Sequence, residues 1–414
     1  RYRSPSRGLG DVYKRQTLHN PGQKIVYFVL DLNKRVKNIR TLVRKIERCI
    51  IETLKEYKSW DHDYKNFRYG RLGSPNSLAL EEAYSELTGA YRTIATNSGM
   101  SAINIAVSAF LNQGDHALVT EGAYEPAAEL FNSHLGSFGI ESQFISPLIG
   151  KEIVNLIRNE TKLVYLEAPS SNTFEIPDIQ LLVQSIRNKS QRIGTEIIIV
   201  FDNTWAGPLY FRPLEHGMDI EIQAATKYVV GHSDAMLGLV ACTEKTYKDV
   251  KNSCRYQGIS AGPDTCYLGL RGLRTMALRM SSQFNNAMEV AHWLEKQDII
   301  QEVLYPPLKS SSSYNNWRKN FTGGGSLMSI VLHKEYSDHE LAKMLDHMEL
   351  FAMGYSWGGF ESLAILQELR SNKKDKYLQG RKYFRFNKDE HIVRLHIGLE
   401  DPKDLINDLK RSLR

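Results

Sequence analysis

Short β-branched runs and longer helical stripes take turns along this chain. Ile197 to Phe201 is an apolar run of the kind buried on both faces of a sheet, and it stops at Asp202, Asn203 and Thr204. Ile220 to Ala225 is a second such run, and it leads into Thr226 and Lys227. His116 to Thr120 and Leu163 to Leu166 read the same way, the latter ending in Glu167-Ala168-Pro169. Between them, Leu78 to Leu87 has helical spacing up to Gly89, and Met100 opens an apolar helix after the small-residue turn Thr96 to Gly99. Strands alternating with helices predict an α/β fold, a doubly wound and mostly parallel sheet with right-handed crossovers. The texture then changes. A helix over Met280 to Lys296, a polar loop over Ser310 to Asn316, a TGGGS turn at Thr322 to Ser326 and a strand over Leu327 to Leu332 predict a smaller C-terminal α/β domain. The expected division is an N-terminal segment (1–73), a large domain (74–275) and a small domain (276–414).

The N-terminal segment stands apart. Val36, Ile39, Val43, Ile46, Ile50 and Leu54 follow helical spacing among lysines and arginines, a stripe expected to pack on the protein's own surface. Arg1 to Gln16 is basic and aperiodic, reads as a tag or sequencing remnant, and leaves residues 1–50 atypical. Charge sharpens that contrast. The formal net charge is +6, yet residues 1–71 carry 18 Lys and Arg against 7 Asp and Glu, so the body is net acidic. That balance argues against a nucleic-acid partner. No apolar run approaches a membrane span, and Ile25 to Leu30 is too short for a signal peptide, so no membrane is expected. Four cysteines without C-x-x-C or zinc spacing read as reduced thiols of a cytoplasmic protein, with no metal site.

Chemistry enters at the ends of the two apolar runs. An acid closing a buried parallel strand faces the crevice where open α/β sheets bind ligands. Asp202 and Lys227 therefore meet at one sheet edge, a pairing suited to pyridoxal phosphate. An amine holds the cofactor aldehyde as a Schiff base, and a carboxylate keeps the pyridine nitrogen protonated. Spacing alone favours the plainer reading of a capping acid and a solvated lysine. The wording decides: DNTWAGPLY followed by IQAATKYVVGHSDAMLG strongly resembles the Cys/Met-metabolism family of pyridoxal-phosphate enzymes, most closely its bacterial β-lyases.

The resemblance runs from near Glu52 to the end and implies an aspartate aminotransferase-like, fold type I architecture. It implies a carbon–sulfur lyase that splits cystathionine into homocysteine, pyruvate and ammonia, in methionine biosynthesis or transsulfuration. Tyr69 and Arg71 of FRYGR would hold the cofactor phosphate of the neighbouring subunit, although unaided they read as an ordinary loop pair. Gly99 and Met100 would donate backbone N–H groups to the phosphate, helped by the Thr226 hydroxyl, and Tyr124 of GAYEP would stack over the ring near the substrate amine. Asp202 would partner the ring nitrogen and Lys227 carry the cofactor. Arg394 of IVRLHIGLED would grip the substrate α-carboxylate, while its default explanation in an apolar strand is an internal salt bridge. Tyr355, Ser356 and Trp357 of MGYSWGG resemble the bacterial β-lyase wording rather than the E-S-L-G-G of γ-acting relatives. Ser171 is carried over as a substrate contact, although Ser170, Ser171 and Asn172 stand where the wider family has an E-x-P-x-N-P pattern. The extended arm that family members have near the N-terminus, with its V-x-x-G and P-I/P-V segments, is missing. A homotetramer built from dimers that share active sites is implied.

Three rival readings stand beside this one, and the retained Asp202, Lys227 and Arg394 argue against the first, a catalytically dead binding protein. A γ-lyase, a γ-synthase or a general cysteine-conjugate lyase shares the early chemistry. A serine hydrolase is suggested by Gly258-Ile259-Ser260-Ala261-Gly262, but that elbow needs a buried strand before it, and Asn252 to Gln257 is polar.

Overall fold

The computed structural model describes residues 70–333, 336–367, 382–383, 386 and 390–413. The amphipathic stripe at Val36 to Leu54, the atypical first fifty residues and Tyr69 lie outside the described residues. Strands β1 (Arg92–Thr96), β2 (His116–Thr120), β3 (Glu141–Ile145), β4 (Thr161–Glu167), β5 (Ile198–Asp202), β6 (Ile220–Gln223) and β7 (Gly238–Cys242) form one sheet in the order β1-β7-β6-β5-β4-β2-β3. Strands β2 to β6 pair in parallel, whereas β7 runs antiparallel to both β6 and β1. The mostly parallel α/β sheet expected from the alternating texture is therefore present. The sequence pattern missed β1, β3 and β7, because β7 opens on Gly238 and β3 is polar and half-exposed.

Period-two alternation sorts β5 between two cores. Ile197, Ile199 and Phe201 pack with Ile179, Leu182 and Ile186 of the Ile179–Ile193 helix. Ile198 and Val200 pack with Ile103 and Ile105 of the Gly99–Ser108 helix. Both faces are covered, which is why the strand reads as a continuous apolar run. Because β1, β4, β5 and β6 all point the same way, Thr96, Glu167, Asp202 and Gln223 finish at one edge.

One helix runs from Pro263 to Leu294, 32 residues, where the sequence pattern predicted only Met280 to Lys296. The expected division at 275/276 falls inside it. Gly269 and Gly272 masked its first half, and packing explains why they are there. A Cβ on Gly272 would lie 2.1 Å from the Val229 carbonyl oxygen, so the helix can cross the chain just beyond Lys227 only with glycine. Gly258 to Gly262 precedes this helix and follows the Glu244–Tyr256 helix, not a strand, so the nucleophile elbow is not formed. Of the polar stretch predicted as a loop at Ser310 to Asn316, residues 310–313 are irregular, and the last three open the Tyr314–Asn320 helix.

The smaller sheet, β10-β11-β9-β8, is wholly antiparallel and joins β8 (Ile300–Leu304), β9 (Leu327–Leu332), β10 (Leu363–Gln367) and β11 (Ile392–His396). No helix among the described residues is long and apolar enough to cross a membrane, and no group of metal-ligating side chains was found among them. Cys242, Cys254 and Cys266 are buried free thiols.

Candidate active site

Glu167 and Asp202 are the last residues of adjacent strands and face each other in register. Tyr165, two positions back, shares their face. Its hydroxyl donates to Asp202 Oδ2 at 3.2 Å, and the Thr204 hydroxyl and N–H donate to Oδ1 at 2.5 and 3.0 Å. Glu167 Oε2 accepts the Tyr124 N–H at 2.7 Å. Burial raises both carboxyls, Glu167 well above its ordinary value because the Asp202 charge adds to burial there. Each carboxyl's charge disfavours the other's, and Asp202, with three donors and the Lys227 charge, has the stronger support for its ionised form.

Lys227 sits in the turn after β6. Its Nζ donates to Ser356 Oγ at 2.8 Å and lies 5.1 Å from the centre of the Trp357 ring. Burial and then the Arg394 charge push its pKa down to about 8, with Asp202 pulling the other way. An amine so placed spends much of its time neutral near physiological pH, as a nucleophile or base must.

Arg394 lies mid-way along β11, opposite Ser329 and Ile365. Its Nη2 donates to the Tyr355 carbonyl oxygen at 2.7 Å, and among the described residues no carboxylate pairs with it. Among the described residues the salt bridge taken as its default explanation is therefore not formed. Burial lowers its pKa to about 10. A largely desolvated guanidinium with spare donors suits an incoming carboxylate. Tyr124, 46 % exposed, precedes the Glu125–Glu129 helix, and its phenol feels the Glu167, Arg394 and Asp202 charges.

Gly99 opens its helix after the Ser98 N-cap, so the Gly99 and Met100 N–H groups have no intrahelical acceptor. A Cβ on Gly99 would meet the Ala224 Cβ at 2.8 Å, and one on Gly238 would meet the Ser98 carbonyl oxygen at 2.1 Å. Glycine at both points lets an anion-attracting helix start lie beside the Lys227 turn. The Thr226 hydroxyl is engaged with the Leu237 backbone, donating at 3.1 Å and accepting at 2.9 Å.

Asp202, Lys227, Tyr124, Arg394, Ser356 and Trp357 are thus brought together by geometry or charge. Tyr355, 89 % exposed, contributes its carbonyl. Ser171 hydrogen-bonds Gly122 through its backbone and has no bond to Lys227 or Arg394. Arg71 donates to the Arg255 carbonyl at 3.0 Å. The residue reading missed Thr204 and Tyr165 as partners of Asp202. Thr204 had a signal in its two-residue offset from an acid ending a strand, whereas Tyr165 had none.

The chain also has clear relatives. A sequence profile described as Cys/Met metabolism PLP-dependent enzyme matches residues 51–414. A protein named putative cystathionine beta-lyase from Rhizobium johnstonii is 40% identical over 351 residues, 84% of this chain and 85% of that protein. Cystathionine beta-lyase MetC of Escherichia coli is 38% identical over 341 residues, 82% of this chain and 84% of that one. The crystal structure of metB from Corynebacterium glutamicum superposes with a TM-score of 0.76 at 28% identity, covering 84% of this chain and 88% of that one.

Proposed function

The chain belongs to the Cys/Met-metabolism family of PLP-dependent enzymes, and from that premise we propose that it eliminates the Cβ substituent of cystathionine, releasing homocysteine, pyruvate and ammonia. One observation carries the assignment of the site: the Lys227 amine donates to Ser356 and the Arg394 guanidinium grips the same loop, while neither pairs with a carboxylate among the described residues. The residues fit pyridoxal phosphate. A partly neutral amine, a buried carboxylate with its own donors and a glycine-framed helix start supply the three contacts such a molecule needs. Lys227 would hold its carbonyl carbon, Asp202 its ring nitrogen, Gly99, Met100 and Thr226 its phosphate, and Tyr124 one ring face. Tyr69 and Arg71 would serve a partner subunit. When bound, the cofactor supplies an electron-accepting ring that makes the substrate α-proton acidic.

The remaining work falls to the chain. Arg394 takes the substrate α-carboxylate in a two-pronged hydrogen bond and so aims Cα at Lys227. Lys227 Nζ would take the α-proton, and its depressed pKa makes it a base near neutral pH. Ser356 Oγ and the Trp357 face hold that nitrogen in place. The same Nζ, now protonated, is the acid for the departing sulfur. Ser171 is assigned only to the outer part of the substrate site. We further assign the chain to the cytoplasm, which the three buried free thiols support, to a large domain over 74–275 and a small one over 276–414, and to a homotetramer with shared sites.

Product analysis tests the reaction. Purified protein given cystathionine should release pyruvate and homocysteine in equal amounts. 2-Oxobutyrate with cysteine would replace this assignment with γ-elimination.

A further inference from the structure

His396 follows Arg394 by two positions on β11 and therefore shares its face. It is 1 % exposed. Gly358 donates its N–H to His396 Nε2 at 3.1 Å, and a backbone N–H can only donate. Nε2 therefore carries the lone pair, and Nδ1 carries the proton, which goes to Ser326 Oγ at 3.1 Å. The Gly359 carbonyl lies 3.3 Å from Nε2 as a neighbour, not a partner, in that tautomer. The Ser326 N–H in turn donates to the hydroxyl of Tyr228, the residue after Lys227, at 2.8 Å.

The loop this histidine holds is the one that touches the amine. Ser356 accepts from Lys227, Trp357 lies under it, and the Trp357 ring meets the Tyr228 ring edge-on at 5.5 Å. Gly358 has φ +83, and a Cβ there would come within 2.8 Å of the Lys227 Cβ. Loop and lysine are thus in backbone contact, and a small loop shift moves Ser356. β11 grips the loop at two points: Arg394 at the Tyr355 carbonyl and His396 at the Gly358 N–H. The groups facing His396 are Tyr228, Ser326, Gly358 and Gly359, with the Arg394 and Lys227 charges beyond them. None is a carboxylate.

We propose that His396, as a neutral Nδ1–H imidazole, is a positioning residue that sets the Tyr355–Gly359 loop and so keeps the Lys227 amine seated on Ser356. The proposal rests on the assignment of Lys227 as the reactive amine. Burial drives the imidazole pKa down to about 3, so the bond to Gly358 persists across the working pH range.

The test uses four full-length proteins: wild type, His396→Leu, His396→Gln and, as a reference for the lost loop contact, Ser356→Ala. Glutamine can place its Oε1 where Nε2 accepts, whereas leucine cannot accept. The readout is the pH midpoint for uptake of pyridoxal phosphate by cofactor-stripped protein, followed by absorbance. It is measured alongside thermal melting and the kcat and KM for cystathionine. The leucine variant is expected to shift that midpoint upward by at least half a pH unit and to lower kcat tenfold or more with KM changed less than threefold. Glutamine should restore most of both. A leucine variant that melts earlier but keeps the wild-type midpoint and kcat would overturn the proposal and leave His396 structural. If leucine fails to fold, a glutamine variant as impaired as Ser356→Ala would overturn it equally. Failure of wild type to take up the cofactor would instead strike at the assignment of Lys227.

Discussion

The Lys227 amine offers the sharpest quantitative test of the electrostatics. An ordinary lysine with a pKa of 10.5 is neutral about one part in a thousand at pH 7.5. With its pKa at about 8, roughly a quarter of it is neutral, a gain of about two hundredfold in reactive amine. The cost of holding it there is about 3 kcal/mol at most, less what the open mouth of the cleft screens. Two causes supply it, burial first and the Arg394 charge second. Cofactor-stripped protein mixed with pyridoxal phosphate in a stopped-flow instrument should therefore bind it at a rate that rises with pH and levels off near 8. Arg394→Met removes the second cause while keeping bulk, so the plateau should move to higher pH. A rate still climbing tenfold per pH unit at pH 9.5 in the wild type would refute the reasoning, as would a plateau that Arg394→Met leaves unmoved.

Other consequences follow from particular groups. Glu221, on the sheet face opposite Asp202, accepts from Tyr84 at 2.9 Å and Asn203 at 3.0 Å, but its Oε2 has no partner among the described residues, and burial raises its pKa to about 7. A carboxyl raised in the folded state adds full stability below pH 4.5 and loses it as pH climbs through 7. Glu221→Gln should therefore stabilise the protein by about 3 kcal/mol at pH 8 and little at pH 5, in denaturant titrations at both; equal effects at the two would contradict a buried, titrating group. Arg394→Ala should raise KM for cystathionine by two orders of magnitude while the bound-cofactor spectrum persists, and loss of the cofactor would mark Arg394 as structural. Gly272→Ala drives a methyl onto the Val229 carbonyl, and calorimetry should show a loss of about 3 kcal/mol or more, together with weakened cofactor binding. Hetero-oligomers of Lys227→Ala and Tyr69→Ala subunits should recover activity that neither parent has, and no recovery would argue against sites shared across subunits.

Much of the site was legible because its positions are strand ends. Asp202, Glu167 and Lys227 each follow an apolar run, and a parallel sheet gathers such ends at one edge. The wording around them supplied Arg394 and the Tyr355–Trp357 loop, which residue types alone could not. Packing hid the rest. Gly272 reads as a helix breaker until the Val229 carbonyl is seen against it, and the long helix was cut short accordingly. His396 and Tyr165 look like ordinary strand residues, since their roles depend on partners some 38 and 37 positions away. Glu221 gave no signal at all, because a glutamate in a short apolar strand is indistinguishable by pattern from an exposed one.

The central claim is that one particular amine carries the cofactor. Borohydride added to the yellow, cofactor-loaded protein should bleach its visible band, and peptide mapping should place the added mass on Lys227 alone. A bleached protein whose label lies on another lysine, or a folded protein that takes up no pyridoxal phosphate, would contradict it.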